Sequence, residues 1–157
     1  MIDPRATPMR EQPPEVRIHN FDEVPLGYSE DEAIREASRC LQCKNAPCVG
    51  GCPVGIDIPS FIRAVKERKH DAAIARIKES NALPAVCGRV CPQETQCQGV
   101  CTLGKKLEPV AIGRLERFCA DWEATHEACT PTVQPATGKR IAVVGSGPAG
   151  LTAAGEL

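Results

Sequence analysis

The sequence predicts a mainly α-helical, cysteine-rich domain followed by the first strand and helix of an α/β nucleotide-binding domain. Three observations support this fold class. Eight of the ten cysteines lie in two short runs, apolar residues recur at helical spacing around those runs, and a glycine-rich loop follows a β-branched segment near the C-terminus. The formal net charge of -1, with 25% charged residues, gives no electrostatic basis for nucleic-acid binding.

Four amphipathic helices are predicted before residue 124. The first begins at a capping-box pattern, with Ser29 at the N-cap and Glu32 three residues later. Pro59 and Asp71 mark the starts of the second and third helices. The apolar positions of these three helices are Ala33, Ile34, Ala37 and Leu41; Phe61, Ile62 and Val65; and Ala72, Ile74, Ala75 and Ile77.

The fourth predicted helix runs from Pro109 to about residue 122. Its apolar face holds Ala111, Leu115, Phe118, Cys119 and Trp122. Arg114, Arg117 and Asp121 are expected to point away from that face, and Glu116 lies at its border. Cys119 is therefore expected in the core, whereas Cys129 lies further along the chain without a partner.

Changes in composition divide the chain into four parts. Residues 1–28 contain five prolines and little periodicity, which indicates an extended arm lying on a surface or a partner. Residues 29–123 form the predicted helical domain. Residues 124–138 lose the helical pattern and are interpreted as a linker. Residues 139–157 begin a second domain, and no apolar stretch approaches the ~20 residues that span a bilayer.

The two cysteine runs indicate metal binding. They read Cys40-x2-Cys43-x4-Cys48-x3-Cys52-Pro53 and Cys87-x3-Cys91-Pro92-x4-Cys97-x3-Cys101. Closely spaced thiolates with a Cys-Pro pair are typical of cubane iron-sulfur clusters, in which the cysteine before proline binds the other cluster. Structural zinc, which favours separated Cys-x2-Cys pairs, is an alternative. A disulfide scaffold is disfavoured because no signal peptide is evident, so a cytoplasmic electron-transfer protein is predicted.

A phosphate-binding loop is predicted near the C-terminus. Residues 141–144 have the pattern of a buried strand, and the G-x-G-x-x-G sequence that follows leads into a helix. The candidate cofactor-binding residues are Gly145, Gly147, Pro148, Ala149 and Gly150. Such a fold needs a complete βαβ unit, so we expect residues 139–157 to be a truncated part of it that binds neither FAD nor NADPH by itself.

The chain resembles the N-terminal iron-sulfur domain of the glutamate synthase small-subunit family. It is also similar to the flavin subunit of electron-bifurcating NADH-dependent ferredoxin:NADP oxidoreductases and to the N-terminal part of dihydropyrimidine dehydrogenase. The similarity covers about residues 9–157, and its matching segments are NFDEV at 20–24, RCLQC at 39–43, GCPV at 51–54, IDIP at 56–59, GRVCP at 88–92 and VAIGRLERF at 110–118.

The resemblance implies an α-helical ferredoxin-type domain with two 4Fe-4S clusters. Its ligand pattern corresponds to Cys40, Cys43, Cys48 and Cys101 for one cluster and to Cys52, Cys91 and Cys97 for the other. In the family the fourth ligand of the second cluster is an acidic or amide side chain, which corresponds to Glu116. Cys87 is the alternative, since it lies four residues before Cys91 and could share a helix face with it.

The resemblance further implies the first βα unit of a Rossmann-like FAD domain and an NADPH-dependent oxidoreductase. Electrons would pass through FAD and the clusters to a large glutamate synthase subunit, or to another redox partner subunit, in an oligomeric protein. Electron bifurcation between NADH and NADP is one alternative. A docking module with a non-redox metal site is another, from a different functional class.

Overall fold

The computed structural model describes residues 2–126 and 135–157. The regular secondary structure in these ranges is helical. The helices are α1 Pro14–Arg17, α2 Glu30–Ala37, α3 Pro47–Gly50, α4 Ile58–Lys66, α5 His70–Lys78, α6 Pro84–Val90, α7 Ile112–Thr125 and α8 Pro148–Glu156. Two 3-10 helices span Gln93–Thr95 and Thr102–Lys105. Within the described ranges, β pairing is limited to one isolated antiparallel bridge between Glu11 and Pro25. Cys129 and most of the predicted linker lie outside these ranges.

The core forms where α2, α4, α5 and α7 pack together. Phe61, Ile62 and Val65 from α4 are buried against Ile77 and Leu115, as the helical pattern predicts. Helix α6, which the sequence analysis did not predict, packs closely along α7. The cysteine-bearing loops pack against this core through Cys40, Cys48, Cys52 and Cys101.

Close packing of α6 on α7 depends on Gly88. A Cβ atom at this position would lie 2.6 Å from the Arg117 backbone nitrogen and 2.8 Å from its Cα. These are backbone atoms that cannot move without displacing the helix. Any side chain at position 88 would therefore push α6, and the cysteines it carries, away from α7.

Helix α2 begins as predicted but ends earlier. The Ser29 side chain accepts a hydrogen bond from the Glu32 backbone N–H, and the Glu32 carboxylate accepts one from the Ser29 backbone N–H, so the capping box is confirmed. The helix ends at Ala37, so the placement of Leu41 on its apolar face was wrong. Leu41 is 44% exposed and lies in a turn between two cysteines, where Gln42 adopts a left-handed φ of 51°.

The limits and faces of α5 and α7 also differ from the predictions. Helix α5 starts at His70 rather than after Asp71, and Ala73 faces the core where Ala72 and Ala75 were expected. Positions 73, 74 and 77 share one face at a spacing of three to four residues, which explains the difference. Helix α7 starts at Ile112 rather than at Pro109.

Arg117 is buried, although the helical wheel placed it outward. Its guanidinium donates to the Pro25 carbonyl oxygen at 2.8 Å and to the Asp121 carboxylate at 3.1 Å, and Glu23 lies 3.2 Å away. Residues of the N-terminal arm cover this side of α7 and supply acceptors that a helical wheel does not include.

Residues 141–144 form no strand in the described part of the chain, whereas α8 forms directly after the glycine-rich loop. A strand needs a neighbour to pair its backbone groups, and the described residues provide none here.

A buried ion pair joins α2 to the N-terminal arm and to the start of α7. Glu36 and Arg39 are 0% and 2% exposed and lie 2.7 Å apart. The Glu36 carboxylate also accepts from the backbone N–H groups of Thr7 at 2.6 Å and Ala111 at 2.8 Å. Arg39 donates to the carbonyl oxygens of residues 3, 108 and 109. Because both charges are paired and bonded to backbone groups, the pair fixes three chain segments at once.

We expect Glu36→Ala to destabilise the domain by about 3–5 kcal/mol, because it leaves the buried Arg39 without its carboxylate. The matched control is Glu79→Ala, which removes an exposed pair of the same i,i+3 spacing with Arg76 and should cost less than about 1 kcal/mol. Urea unfolding of both variants checks this. Equal losses would show that the buried pair has no special role.

Candidate metal centres

Four of the predicted ligands surround one pocket beside α4. Cys40, Cys43 and Cys48 of the first run and Cys101 of the second line this pocket. Cys40 and Cys43 lie in the turn after α2, Cys48 lies on α3, and Cys101 is the N-cap of the second 3-10 helix. The remaining wall is mainly apolar and includes Ile58, Ile62, Val110 and Ile112. Thiols inside an apolar wall are the donor set that suits iron bridged by sulfide.

Gln42 orders the turn between Cys40 and Cys43. Its side-chain amide donates to the Pro59 carbonyl oxygen at 3.0 Å and lies 3.4 Å from the Cys40 sulfur. The left-handed backbone at Gln42 turns the chain so that both cysteines line the same pocket. The sequence analysis missed this residue, whose signal is an amide side chain inside the Cys-x2-Cys segment.

A second pocket, between α6 and α7, is lined by the other predicted ligands. It is lined by Cys52, Cys91, Cys97, Glu116 and Cys87, together with Asn81, Gln93, Gln96 and an apolar rim. Both alternatives for the fourth ligand are therefore present at this pocket. Cys87 lies on α6, Cys91 follows its last turn, and Glu116 projects from α7.

Burial raises the pKa of Cys40 and Cys48 in the first pocket and of Cys91 and Cys97 in the second. The pKa of Cys48 is raised to about 11, and that of Cys91 to about 11, in each case first by burial and then by neighbouring cysteines. Burial likewise raises the pKa of Cys97 to about 12. Such thiols keep their protons at neutral pH unless a cation replaces them, so metal binding there releases protons.

Glu116 is buried at 6% exposure, whereas the sequence placed it at a helix border. Burial raises its pKa to about 7, and a hydrogen bond from Asn81 opposes this shift. The Asn81 amide nitrogen donates to Glu116 Oε1 at 2.7 Å. Among the described residues, no positively charged side chain lies within 4 Å of the Glu116 carboxylate. Its hydrogen-bond partner is the neutral amide of Asn81. The sequence analysis did not identify Asn81 as a residue of the site.

The thiols surround each pocket instead of converging on one point. Among residues 2–126 and 135–157, no three His, Cys, Asp or Glu side chains are arranged to hold a single metal ion. In a cubane cluster each protein ligand binds a different iron atom, so its ligands surround the group. The residues present thus fit two 4Fe-4S clusters.

The glycine-rich loop, which the sequence predicts to bind phosphate, leads directly into α8. Gly145 has φ +106°, and a Cβ atom on Gly150 would lie 2.1 Å from the Gly145 carbonyl oxygen. Gly147 is the N-cap of α8, and Pro148 occupies its first turn, followed by Ala149. The free N–H groups of such a helix start can bind a pyrophosphate.

None of the helices in the described ranges combines the length and the apolar character that a bilayer span requires.

A helical domain with two cysteine-lined pockets belongs to the class of helical iron-sulfur proteins. Residues 17–128 match the family described as dihydropyrimidine dehydrogenase domain II, 4Fe-4S cluster. This match covers more than half of the chain, and the chain therefore belongs to that family. The resemblance stated from the sequence is confirmed at this level.

Curated relatives extend the comparison. The NAD-dependent dihydropyrimidine dehydrogenase subunit PreT of Escherichia coli (strain K12) is 44% identical over 87% of this chain and 33% of its own length. The glutamate synthase [NADPH] small chain of the same strain is 37% identical over 99% of this chain and 32% of its own length. The corresponding small chain of Halomonas elongata is also 37% identical over 99% of this chain. The chain thus spans about a third of the length of these relatives.

We expect the iron-free protein to lose stability as the pH rises from about 4.5 to about 7. The folded pKa of Glu116 is about 7 and lies above its ordinary value of 4.5, so the folded state holds a proton that the unfolded chain has released. The contribution is complete below pH 4.5 and falls by at most ~1.4 kcal/mol per pH unit above it.

Urea unfolding of the iron-free wild type and of Glu116→Gln over this pH range measures the effect. The variant carries no titrating group at position 116, so the difference in unfolding free energy between the two proteins should vary with pH. A constant difference would contradict the buried, uncharged state of this carboxyl group.

Proposed function

We propose that this domain is an electron-transfer module that holds two 4Fe-4S clusters. The observation that carries the proposal is the exchange of cysteines between the runs. The first pocket is lined by three cysteines of the first run and Cys101 of the second, while the other pocket is lined by Cys52 of the first run and by three cysteines of the second, Cys87, Cys91 and Cys97. Two zinc sites with one cysteine run each would require Cys52 in the first pocket. The exchange instead follows the ligand pattern of two-cluster ferredoxins.

In this proposal the chain's own residues hold and tune the clusters. A bound 4Fe-4S cluster accepts and releases single electrons. The apolar wall of the first pocket, with Ile58, Ile62 and Val110, keeps water from the metal site. The Gln42 amide beside the Cys40 sulfur stabilises negative charge on the thiolate, and hydrogen bonds of this kind influence the reduction potential.

For the whole protein we propose an NADPH-dependent flavin oxidoreductase of the glutamate synthase small-subunit type. The loop at Gly145, Gly147 and Gly150 supports a nucleotide-binding domain that continues beyond α8 and takes electrons from NADPH to FAD. Its proposed partner is a larger synthase subunit or another redox subunit. The proposed location is the cytoplasm, because its reducing conditions keep cysteine ligands from forming disulfides.

A subunit of a dihydropyrimidine dehydrogenase is the second candidate. It is supported by the family description and by the 44% identity to PreT. In both candidates the domain carries electrons between a nucleotide-binding unit and a partner subunit. They differ in the partner's substrate. Oxidation of NADPH or NADH by the whole protein, measured with each proposed partner subunit, distinguishes them.

We expect anaerobically reconstituted protein to contain about eight iron and eight sulfide per chain, because two cubane sites are available. Iron and sulfide analysis, with low-temperature EPR before and after dithionite reduction, provides the measurement. Zinc without sulfide, or clusters that accept no electron, would contradict the electron-transfer proposal and support a docking module.

We expect Glu116→Ala to retain only about four iron per chain, because the second pocket loses its fourth ligand. The paired variant Cys87→Ser should keep about eight, because Cys87 does not bind the cluster in our assignment. Iron content and the EPR signals of the two clusters report the outcome. If the losses are exchanged between the two variants, Cys87 is the ligand.

A further inference from the structure

A surface groove lies directly beside the first pocket. Six residues line it, and none of the six is acidic: Leu41, Thr102, Leu103, Lys105, Lys106 and Leu107. The first three of these also line the cysteine pocket. The groove and the pocket thus share a wall, and a protein bound in the groove would contact the wall of the first metal site.

Leu41 gives this groove an apolar centre. Its side chain is 44% exposed, and the half-buried Leu107 lies in the same groove. The neighbouring Gln42 fixes the turn through its hydrogen bond to the Pro59 carbonyl oxygen at 3.0 Å. Leu41 is therefore presented to solvent by an ordered backbone, and an apolar centre with a polar rim is the usual anatomy of a protein interface.

Two lysines form the rim of the groove. Lys105 ends the second 3-10 helix, Lys106 follows it, and both are exposed. The backbone N–H groups of Lys106 and Leu107 donate to the Leu103 carbonyl oxygen at 3.2 and 3.0 Å, which fixes the backbone that carries these charges. Among the described residues, neither lysine has a carboxylate within 4 Å. Their positive charge is therefore not compensated locally.

The sequence around the groove keeps the local charge positive. Neither residues 37–56 nor residues 95–107 contain an acidic side chain, although the whole chain has 20 of them and a net charge of -1. A local excess of positive charge attracts an acidic surface and speeds its association, whereas it repels a copy of itself. The groove therefore fits an acidic protein better than a second copy of this chain.

We propose that this groove is the docking site of an acidic one-electron carrier protein that takes electrons from the first cluster. One electron passes from the reduced 4Fe-4S cluster to the oxidised one-electron centre of the carrier, and no bond or proton is transferred. Transient redox encounters use small interfaces, below about 1,200 Å², in which charge steers association. The inference rests on the proposed function, because it assumes a reducible cluster in the first pocket.

The test measures electron transfer from the full chain, reconstituted anaerobically, reduced and freed of reductant. The acceptor is oxidised plastocyanin, an acidic blue-copper protein, and stopped-flow absorbance gives the second-order rate constant. At about 0.1 M ionic strength, Lys105→Glu combined with Lys106→Glu should lower this constant by about tenfold or more. The difference should shrink at about 1 M salt, where the charges are screened.

The matched control is Arg63→Glu combined with Lys66→Glu on α4. It makes the same change of charge at two exposed residues that do not line the groove. Charges more than about 10 Å apart are largely screened at this ionic strength, so the rate constant should change by less than about twofold. Mitochondrial cytochrome c, a basic acceptor, should show the opposite preference and react faster with the groove variant than with the wild type.

Cross-linking provides a readout that does not depend on electron transfer. A carbodiimide joins lysine amines to carboxylates that they contact. The reconstituted chain is treated with this reagent in the presence of plastocyanin, and the linked lysines are identified by mass spectrometry. We expect the links mainly at Lys105 and Lys106 and few at Lys66.

Two further variants separate the contributions of charge and apolar contact. Lys105→Gln combined with Lys106→Gln is a milder version of the charge change and should give a smaller loss of rate in the same direction. Leu41→Gln should slow the reaction at low and high salt alike, because it removes an apolar contact and no charge. Iron content and the reduction potential of each variant show that the first cluster itself is unchanged.

Equal losses of rate in the groove variant and the control, or links mainly at lysines outside the groove, would overturn the inference. A slower reaction with a shifted reduction potential would also overturn it, because the lysines would then tune the cluster. A wild-type dimer that the lysine variant dissolves would assign the groove to a second copy instead. Failure of the proposed function looks different, since the wild type would then hold no iron and sulfide or would accept no electron.

Discussion

The fold is governed by the requirement that two distant segments of the chain meet twice. Each pocket is lined by side chains from both cysteine runs, so residues 40–52 and 87–101 have to come together at two separate places. Short helices and tight turns carry the thiols, while α2, α4, α5 and α7 provide the apolar core against which Cys40, Cys48, Cys52 and Cys101 pack. This arrangement lets a domain with only 3% aromatic residues form a rigid interior, because metal ligation adds to the stability that its side chains supply.

Two buried carboxylates show how the same group serves different purposes. Glu36 is matched by a guanidinium and two backbone N–H groups, so its charge is fully compensated within the protein. Glu116 has one neutral amide donor and stands beside thiols. Its charge is costly until a cation arrives. The first carboxylate therefore stabilises the fold, whereas the second is, in our proposal, a ligand of the metal centre.

Local sequence patterns predicted the core well because burial follows helical periodicity. The capping box at Ser29 and the apolar stripe on α4 formed as expected. The assignment of cysteines to two clusters remains a prediction from their spacing and from the family resemblance. The failures involve residues whose partners are distant in sequence. Arg117 looked exposed because its acceptor at Pro25 belongs to the arm, and Asn81 gave no signal because its partner lies 35 positions away. Residues 141–144 kept the composition of a strand but met no neighbouring strand.

The attachment of the N-terminal arm has a practical consequence for anyone who prepares the protein. The Thr7 N–H of the arm donates to Glu36, and the Asp3 carbonyl oxygen of the arm accepts from Arg39; these two side chains lie four residues and one residue before Cys40. Proteolytic trimming of the first few residues, or an affinity tag that pulls them away, would leave both charges partly unbonded beside the first cysteine turn. A sample shortened in this way would be prone to incomplete iron loading, and its defect would be mistaken for an intrinsic weakness of the domain.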